Sequence, residues 1–403
     1  MKETLNQAAQ RLHALVWKRF IRLPYGHVLD YAGYGGENLY PTAAQCEADF
    51  PNPLGWWTCI ENGAFFGGLY VGLLAEKYQK QPDEETKREI RTLLRGLFLL
   101  QDVSPVDGFI ARGVADDGKS HYKLSSEDQV GPWVYGLWRV LESGAADQAL
   151  CGEIRAHLLR EINGLNRGGF AIPTEWGDFT WGSLAGGDFR GCAKLLGCVC
   201  AAYAASGDGE WLRLYERLAA ERPDGVYTRL EICAHGCAPD MVRNPGLVQF
   251  WIFACAQEFL HVLATKDCAS DEAFRRGLSG CAATAVRFLD DYKAFLAAPK
   301  DSFDIDWTKL GSLWRKTDTP TDGMNMALEQ NRYWMRELVP ARHAEHNLLG
   351  NALFACLICA RAPERAVREQ TARIFSDILD AVDWESLHLS YAFAAECVCY
   401  ALF

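Results

Sequence analysis

GFIARGVADDGKSHYKLSSEDQVGPWVYGLWRVLESG, residues 108–144, is the stretch from which the fold can be inferred. Its first half carries glycines, paired aspartates and a histidine beside a tyrosine, which is typical of a loop. Its second half predicts a helix, because apolar residues recur at the three-and-four spacing of one helical face: Val130, Trp133, Val134, Leu137, Trp138 and Leu141. The stretch therefore predicts a polar loop that leads into an apolar helix.

Capping residues mark the helix starts. Ser126 and Gln129 have the spacing of a capping box, which would leave Asp128 inside the first helical turn. Thr58 and Glu61 have the same spacing. We therefore expect helices to begin near residues 58 and 126.

A coarse repeat follows from these starts and two others, near residues 188 and 245. Asn244 before Pro245 predicts the last of them, because proline is favoured at the first helical position. The intervals between the four starts are 68, 62 and 57 residues, which indicates a repeated helical hairpin.

Twelve helical segments are predicted, and they alternate in character. Six are amphipathic, with charged faces suited to an outer layer: 3–20, 83–101, 147–164, 208–221, 271–297 and 364–382. Six are apolar nearly all round, which favours burial: 58–79, 126–143, 188–205, 245–264, 342–360 and 386–402. The alternation predicts an all-α protein, an (α/α)6 barrel that forms a single domain over residues 1–403.

Long connections precede the apolar segments, whereas short ones follow them. The long connections are rich in Gly, Trp, Asp, His and Arg, and parallel inner helices would bring them to one face. Long loops in a compact domain usually serve function. A binding site is therefore expected among these loops: 21–57, 102–125, 165–187, 222–244 and 298–341.

Net charge and cysteine content indicate which partners and which cellular compartment to expect. The net charge of −11 argues against a nucleic-acid binder, which usually shows a basic patch. The 15 cysteines lie inside helical patterns and are odd in number, which is typical of reduced core residues in a cytoplasmic protein. Neither a signal-peptide core nor a membrane-spanning stretch is evident, so no membrane partner is expected.

The candidate catalytic groups are acidic side chains of the loops. Asp128 and Asp188 are 60 residues apart, one hairpin repeat, so the barrel would place them at equivalent heights on neighbouring inner helices. Glycosidic chemistry needs two carboxyl groups of this kind. The alternative is that each aspartate only stabilises a helix dipole, by about 0.3–1 kcal/mol. We predict that Asp128 and Asp188 are catalytic, among the acids Glu61, Asp128, Glu175, Asp178, Asp188, Asp322 and Glu345.

Other side chains of these loops are candidates for binding the substrate. Flat rings with a polar edge stack on sugar faces, and arginines pair with a carboxylate of the ligand. Trp138 is expected in the core instead, and Trp133 could also belong there. The predicted binding residues are Trp57, His121, Tyr122, Gln129, Trp133, Glu175, Trp176, Trp181, Arg190, His235, Arg243, Trp334, Arg342, His343 and His346.

The segment CAHGC, with Cys233, His235 and Cys237, carries residue types that ligate metals. A structural zinc site needs four ligands and a catalytic one needs three, and the sequence offers no partner pair with suitable spacing. We therefore predict no metal and no organic cofactor.

Three segments carry a resemblance to a known family: NGAFFGGLYVGLLAEKY at 62–78, DQVGPWVYGLW at 128–138 and DFRGCAKLLGCVCAAY at 188–203. They resemble the six-hairpin glycosidases, in particular the unsaturated glucuronyl and rhamnogalacturonyl hydrolases. The resemblance implies an (α/α)6 barrel in which one aspartate is the general acid/base for hydrating a C4–C5 unsaturated uronate and a second assists. By position, Asp188 matches the first and Asp128 the second.

The expected function is a glycoside hydrolase that acts on uronate-containing or related oligosaccharides by carboxylate acid/base catalysis. A polysaccharide lyase on the same barrel is the first alternative, with His235, His343 or Tyr122 as the base. A sugar epimerase and a non-catalytic carbohydrate-binding barrel are the others. The sequence leaves these alternatives open.

Overall fold

The computed structural model describes residues 3–243, 250–266, 271–298, 305–333 and 340–402. The chain is mostly helical, as predicted. In chain order, the α-helices are α1 (Leu5–Arg19), α2 (Ala43–Glu47), α3 (Gly63–Lys80), α4 (Glu84–Asp102), α5 (Glu127–Ser143), α6 (Gln148–Arg167), α7 (Phe189–Ser206), α8 (Gly209–Ala220), α9 (Arg229–His235), α10 (Ala238–Arg243), α11 (Phe250–Leu263), α12 (Asp271–Ala285), α13 (Asp291–Ala297), α14 (Pro320–Tyr333), α15 (Pro340–Ala344), α16 (Asn351–Ala360), α17 (Arg365–Ala381) and α18 (Ala392–Leu402).

The alternation of helix character is confirmed. The amphipathic segments form α1, α4, α6, α8, α12 and α17, each of which buries one side. The apolar segments form α3, α5, α7, α11, α16 and α18, which we call the inner helices. All ten residues of α16 are buried, for example. The π-helical turn Glu345–Gly350 joins α15 to α16.

Small residues let α3 and α5 pack closely. A Cβ atom on Gly68 would lie 2.2 Å from the carbonyl oxygen of Pro132, and one on Gly136 would lie 2.4 Å from the carbonyl oxygen of Gly68. Both distances are shorter than any real Cβ contact, so only glycine allows the two backbones to approach this closely.

Each inner helix contacts the next one in the chain, and α18 contacts α3. The carboxyl ends of α3, α11, α16 and α18 line one cavity of about 370 Å³. Residues at or just before the amino ends of the same helices line another cavity, described below. These four helices therefore run in the same direction.

A buried ion network lies at the carboxyl ends of the inner helices. Arg361 donates two hydrogen bonds to Glu76, at 3.0 and 2.6 Å, and two to Glu258, at 2.9 and 3.0 Å. The hydroxyl of Tyr135 donates to Glu258 at 3.0 Å. The charges are thus paired within the protein, as buried charges must be.

The long connections contain more regular structure than the sequence indicates. They include the short helices α2, α9, α10 and α14. Two antiparallel hairpins also form in them, β1 (Ile21–Arg22) with β2 (His27–Val28) and β3 (Ala171–Pro173) with β4 (Thr180–Ser183). The last connection also contains the 3₁₀ segment Trp307–Leu313. Two further 3₁₀ segments of the described residues lie outside these connections, Val286–Phe288 between α12 and α13 and Trp384–Ser386 between α17 and α18.

Both predicted capping boxes are wrong. Ser126 is the N-cap of α5, but its side chain makes no capping hydrogen bond, because the hydroxyl is bonded to other side chains. The Thr58 hydroxyl donates to the carbonyl of Gly55, and α3 begins only at Gly63. The start predicted at Asn244 and Pro245 lies outside the described residues.

A connected cluster of buried apolar residues reaches from Ala8 in α1 to Tyr400 in α18. The cysteines of the described ranges are free thiols, most of them buried. Within these ranges, no helix combines the length and apolar character needed to cross a membrane.

Candidate active site

A cavity of about 840 Å³ lies where the amino ends of five inner helices meet, α3, α5, α11, α16 and α18. Small-molecule sites typically measure ~300–1,000 Å³. We call it the amino-end cavity. The described residues that line it are Asp30, Trp56, Trp57, Glu61, Asn62, Phe66, Arg112, Asp128, Trp251, Ile252, Asn331, Arg332, Arg342, His343, His346, Asn347, Leu389 and Tyr391.

Segments far apart in the sequence meet at this cavity. The connection 21–57 supplies Asp30 and Trp57, and the connection 102–125 supplies Arg112. The first turns of α5 and α11 supply Asp128 and Trp251. The amino ends of inner helices and the polar loops before them therefore form one site.

Asp30 is a buried carboxyl group in the cavity wall. It accepts hydrogen bonds from the backbone N–H of Asn62 at 2.7 Å and from its side-chain amide at 2.6 Å. The Gln129 amide donates to the Asn62 side chain at 2.8 Å and so fixes its orientation. Burial, reinforced by the charge of Glu61, raises the pKa of Asp30 well above its usual value. Asp30 therefore keeps its proton where an ordinary aspartate is ionised.

Asp128 is a more exposed carboxyl group, in the first turn of α5; 16% of its side chain is accessible to solvent. The Ser126 hydroxyl donates a hydrogen bond to Asp128 Oδ1. Arg112 Nη2 donates to the Ser126 hydroxyl at 2.6 Å and lies 3.8 Å from Asp128 Oδ1. These contacts orient the Asp128 carboxyl group and place a positive charge beside it.

The backbone of Trp57 is held in an unusual conformation, with a φ of 77°. Few residues other than glycine adopt this region. The Trp57 N–H donates to Glu61 Oε2 at 2.7 Å, and its carbonyl accepts from the Tyr31 hydroxyl at 2.8 Å. Arg342 Nη2 donates to Glu61 Oε2 at 3.3 Å, and its guanidinium carbon lies 5.2 Å from the Trp57 ring centroid. Such strained positions cluster at functional sites.

Four buried nitrogen atoms of cavity residues have no hydrogen-bond partner among the described residues: Trp57 Nε1, Arg112 Nε, Trp251 Nε1 and Arg342 Nη1. A buried polar group without a partner costs about 1–3 kcal/mol. Nearly all such groups in proteins pair with protein or ordered water. These four donors therefore retain unused hydrogen-bonding capacity in the wall of the cavity.

His346 and Tyr391 form a polar pair in the wall near α18. Their side chains are within hydrogen-bond distance through His346 Nδ1 and the Tyr391 hydroxyl. Burial, followed by the positive charges of Arg342 and His343, lowers the pKa of His346 to about 3. The imidazole is therefore neutral at ordinary pH.

Five of the predicted catalytic and binding residues line the amino-end cavity: Trp57, Asp128, Arg342, His343 and His346. Glu61, one of the candidate acids, lines it too. Sequence reasoning missed other residues of the wall, among them Asp30, Asn62, Trp251 and Tyr391. One feature of the sequence could have pointed to Asp30, because this residue lies in the connection 21–57, which was predicted to contribute to a binding site.

Asp188 does not line the amino-end cavity with Asp128, so the predicted pairing of these two carboxylates across one pocket is not observed. Asp188 is the N-cap of α7 and accepts from the Gly191 N–H at 2.7 Å. It also accepts from Arg190 Nη2 at 2.9 Å. Burial would raise the pKa of Asp188, but Arg190 and Gly191 outweigh it and lower the pKa. Helix capping and the ion pair with Arg190 account for these contacts.

Three predicted binding residues belong to the core instead. Tyr122, Gln129 and Trp133 are fully buried. The Tyr122 hydroxyl donates to the Phe50 carbonyl at 2.6 Å, and Trp133 Nε1 donates to the Leu97 carbonyl at 2.8 Å. Their polar atoms are occupied, because large side chains with a polar edge can enter a core only when that edge is bonded. The Gln129 amide donates to the side chain of Asn62, which in turn donates to Asp30 in the cavity wall.

His121, Glu175, Trp176 and Trp181 belong to a second cluster, outside the described lining of the cavity. His121 Nε2 lies 3.0 Å from Glu175 Oε1. Burial would lower the pKa of His121, but the hydrogen bond to Glu175 outweighs it and raises the pKa. Trp176 and Trp181 lie in and beside the β3–β4 hairpin and are partly exposed.

The remaining predicted residues lie elsewhere. His235 is exposed and contacts the Tyr227 ring edge-on, while Arg243 lies 3.6 Å from a carboxylate oxygen of Asp224. Trp334 lies outside the described residues. Across the described part of the chain, no group of three or more His, Cys, Asp or Glu side chains is placed to hold a metal ion.

No protein-family model matches the sequence, and neither a curated protein nor a solved structure matches the chain. The resemblance to six-hairpin glycosidases therefore stays a prediction. What can be said about function comes from the geometry of the cavity.

Proposed function

We propose that the protein is a glycoside hydrolase that acts on uronate-containing or related oligosaccharides in the amino-end cavity. One observation carries the proposal. Two carboxyl groups with unlike environments, Asp30 and Asp128, share a cavity with tryptophan and arginine side chains. Glycosidases use such a pair, in which environment separates the roles of acid and base.

Asp30 is the proposed general acid. Burial keeps its proton in place, and Asn62 fixes the carboxyl group without supplying a neutralising charge. The proton passes to the glycosidic oxygen as the bond to the anomeric carbon breaks. Asp128, beside Arg112, is the carboxylate that activates water or attacks the anomeric carbon. Asp128 thus stays in the proposed catalytic pair, and Asp30 takes the place that was predicted for Asp188.

Arg342 is the proposed contact for an acidic sugar. Its Nη2 atom is bonded to Glu61, whereas its Nη1 atom has no partner in the described part of the chain. A guanidinium group recognises a carboxylate with two parallel N–H groups. The Trp57 ring, which packs against the same guanidinium, offers a flat face for the sugar.

The architecture that supports this proposal is a single (α/α)6 barrel. The succession of contacts from α3 round to α18 and back to α3 favours a closed ring of inner helices. The amphipathic helices contact it from outside. Free, buried cysteines favour a reducing compartment such as the cytoplasm.

The substitution Asp128→Asn tests the proposal. It should lower the release of reducing ends from mixed uronic oligosaccharides by about 10²–10⁴-fold, the usual contribution of such a group. The melting temperature should change little, because the asparagine retains the shape of the side chain. Asp188→Asn is the matched control and should keep activity within a few-fold of the wild type. Equal activity of both variants and the wild type would contradict the proposal.

A polysaccharide lyase is the second candidate, because neutral His346 lies in the same cavity. His346 would remove the proton at C5 of a uronate, a double bond would form between C4 and C5, and the C4 oxygen would leave with a proton from an acid. A lyase creates ultraviolet absorbance from the conjugated product, whereas simple hydrolysis does not. An increase in this absorbance that His346→Ala abolishes would favour the lyase.

A further inference from the structure

We propose that the β3–β4 hairpin is a distal sugar subsite, which stacks on units of the chain that extend beyond the amino-end cavity. The substrate is then an oligosaccharide of several units rather than a disaccharide. The inference rests on the proposed function, which places the first sugar units in the amino-end cavity. It adds the hairpin as a second contact, for the units that follow. The residues that carry it are Trp176, Phe179 and Trp181.

The hairpin aromatics are continuous with the cavity. A small apolar cluster of Leu54, Leu124 and Met324 is covered by four partly buried rings, Trp56, Trp176, Phe179 and Trp181. Trp56 is also part of the cavity wall. Trp56 therefore links the cavity wall to the hairpin rings through one shared apolar cluster.

The hairpin rings have the form of a stacking surface. Phe179 and Trp181 are nearly parallel, with an angle of 22° between their planes and 6.3 Å between their centroids. Both rings and Trp176 are partly exposed. All three rings offer a flat apolar face to a sugar ring, and the two tryptophans add an indole N–H that can donate a hydrogen bond to a hydroxyl group.

Hydrogen bonds fix the hairpin in place. The Thr174 hydroxyl donates to the Phe179 carbonyl at 2.8 Å and accepts from the Trp176 N–H at 3.1 Å. The Glu175 N–H donates to the Lys123 carbonyl at 3.0 Å. The rings are therefore positioned before a sugar binds, which lowers the entropic cost of binding.

The His121–Glu175 pair is a further anchor, since it joins the hairpin to the connection before α5. Lys123 Nζ, from the same connection, lies 5.8 Å from the Trp176 ring centroid. In this scheme, His121 and Glu175 position the hairpin and do not contact the sugar.

The test compares substrates of two lengths. We would measure KM and kcat of the wild type and Trp181→Ala with oligogalacturonates of two and five units. The variant should raise KM for the longer substrate about tenfold, the effect of one lost aromatic contact, and leave the shorter one unchanged. Trp181→Phe should restore most of the loss. Tyr203→Ala, which removes an exposed ring at the far end of α7, is the control and should change neither KM.

The outcomes separate the subsite from the proposed function. Suppose that the wild type is active and that Trp181→Ala changes KM equally for both substrates, or for neither. The proposed subsite is then wrong, and the proposed hydrolase activity stands. If the wild type degrades neither substrate, the hydrolase is wrong, and calorimetric binding of the same sugars decides the subsite. Tighter binding of the longer sugar that Trp181→Ala abolishes supports it, whereas equal binding, or none, overturns it.

Discussion

The two ends of the inner helices treat buried charge in opposite ways. At the carboxyl ends, Arg361 is held by Glu76 and Glu258 through four hydrogen bonds. At the amino ends, Asp30 is bonded to amide groups of Asn62, and Arg342 keeps a nitrogen without a partner among the described residues. One end is internally neutralised, and the other retains unused hydrogen-bonding capacity around a cavity.

This contrast separates structural charges from functional ones. Burying a charge is favourable only when a partner compensates the lost hydration. The network around Arg361 meets that condition within the protein. The groups of the amino-end cavity meet it only in part, so a ligand with hydroxyl and carboxylate groups would complete their hydrogen bonds. The following substitutions test this difference, beginning with the largest expected effect.

The first prediction concerns the proton on Asp30. The substitution Asp30→Asn should lower turnover by about 10²–10⁴-fold. Burial raises the pKa of Asp30, so a general acid at this position is active below that pKa and loses activity as the pH rises through it. The variant should lack this alkaline loss, and profiles of kcat/KM against pH measure both effects.

The control for this experiment is Asp116→Asn, which changes an exposed aspartate of a nearby loop. It should retain the wild-type profile. Because a raised pKa in the folded state makes ionised Asp30 destabilising, Asp30→Asn should not lower the melting temperature at neutral pH. An unchanged alkaline limb in Asp30→Asn would assign the acid to another group.

The second prediction concerns the opposite end. Arg361→Met should lower the free energy of unfolding by about 3–5 kcal/mol, because it leaves Glu76 and Glu258 buried without their cation. Denaturant titration measures the loss. Activity per folded molecule should remain near the wild-type value, since Arg361 lies outside the amino-end cavity. Replacing Glu76 and Glu258 by leucine in the same variant should recover much of the stability.

The pH dependence of that stability has a defined sign. Burial would raise the pKa of Glu76, but the charge of Arg361 outweighs it and holds the pKa well below its usual value. The contribution to stability is therefore present above the unfolded value of about 4.3 and decreases as the pH falls. Arg361→Met should lose this acid-sensitive part. If the variant were as stable as the wild type at neutral pH, the network would not be structural.

The third prediction is the smallest and concerns Asp188. Asp188→Ala should lower the free energy of unfolding by about 1 kcal/mol, the usual value of an N-cap, and should change turnover by less than a few-fold. Thermal unfolding and a reducing-end assay measure the two quantities. A loss of activity as large as that expected for Asp30→Asn would restore Asp188 as a catalytic residue.

The helices could be predicted from the sequence because their signals are local. Apolar periodicity distinguished α4, with one buried side, from α16, which is buried all round. The capping box at Ser126 failed because its hydroxyl is bonded to Arg112, a contact that depends on the tertiary fold. Spacing alone cannot reveal such competition between partners.

The site was predicted in part, for a similar reason. Asp128 and Trp57 were found because they lie beside predicted helix starts. Asp30 was missed because its raised pKa arises from burial beside Asn62, which no local pattern reports. Asp188 was misplaced because an N-cap aspartate and a catalytic aspartate at the start of a helix have the same sequence signature.

The central claim is that the amino-end cavity, between Asp30 and Asp128, is where a sugar binds. A crystal structure of Asp128→Asn soaked with mixed uronic oligosaccharides tests it most directly. The account predicts sugar density against the Trp57 ring, with a carboxylate or hydroxyl group bonded to Arg342 Nη1. Density beside Asp188, with the amino-end cavity unoccupied, would contradict it.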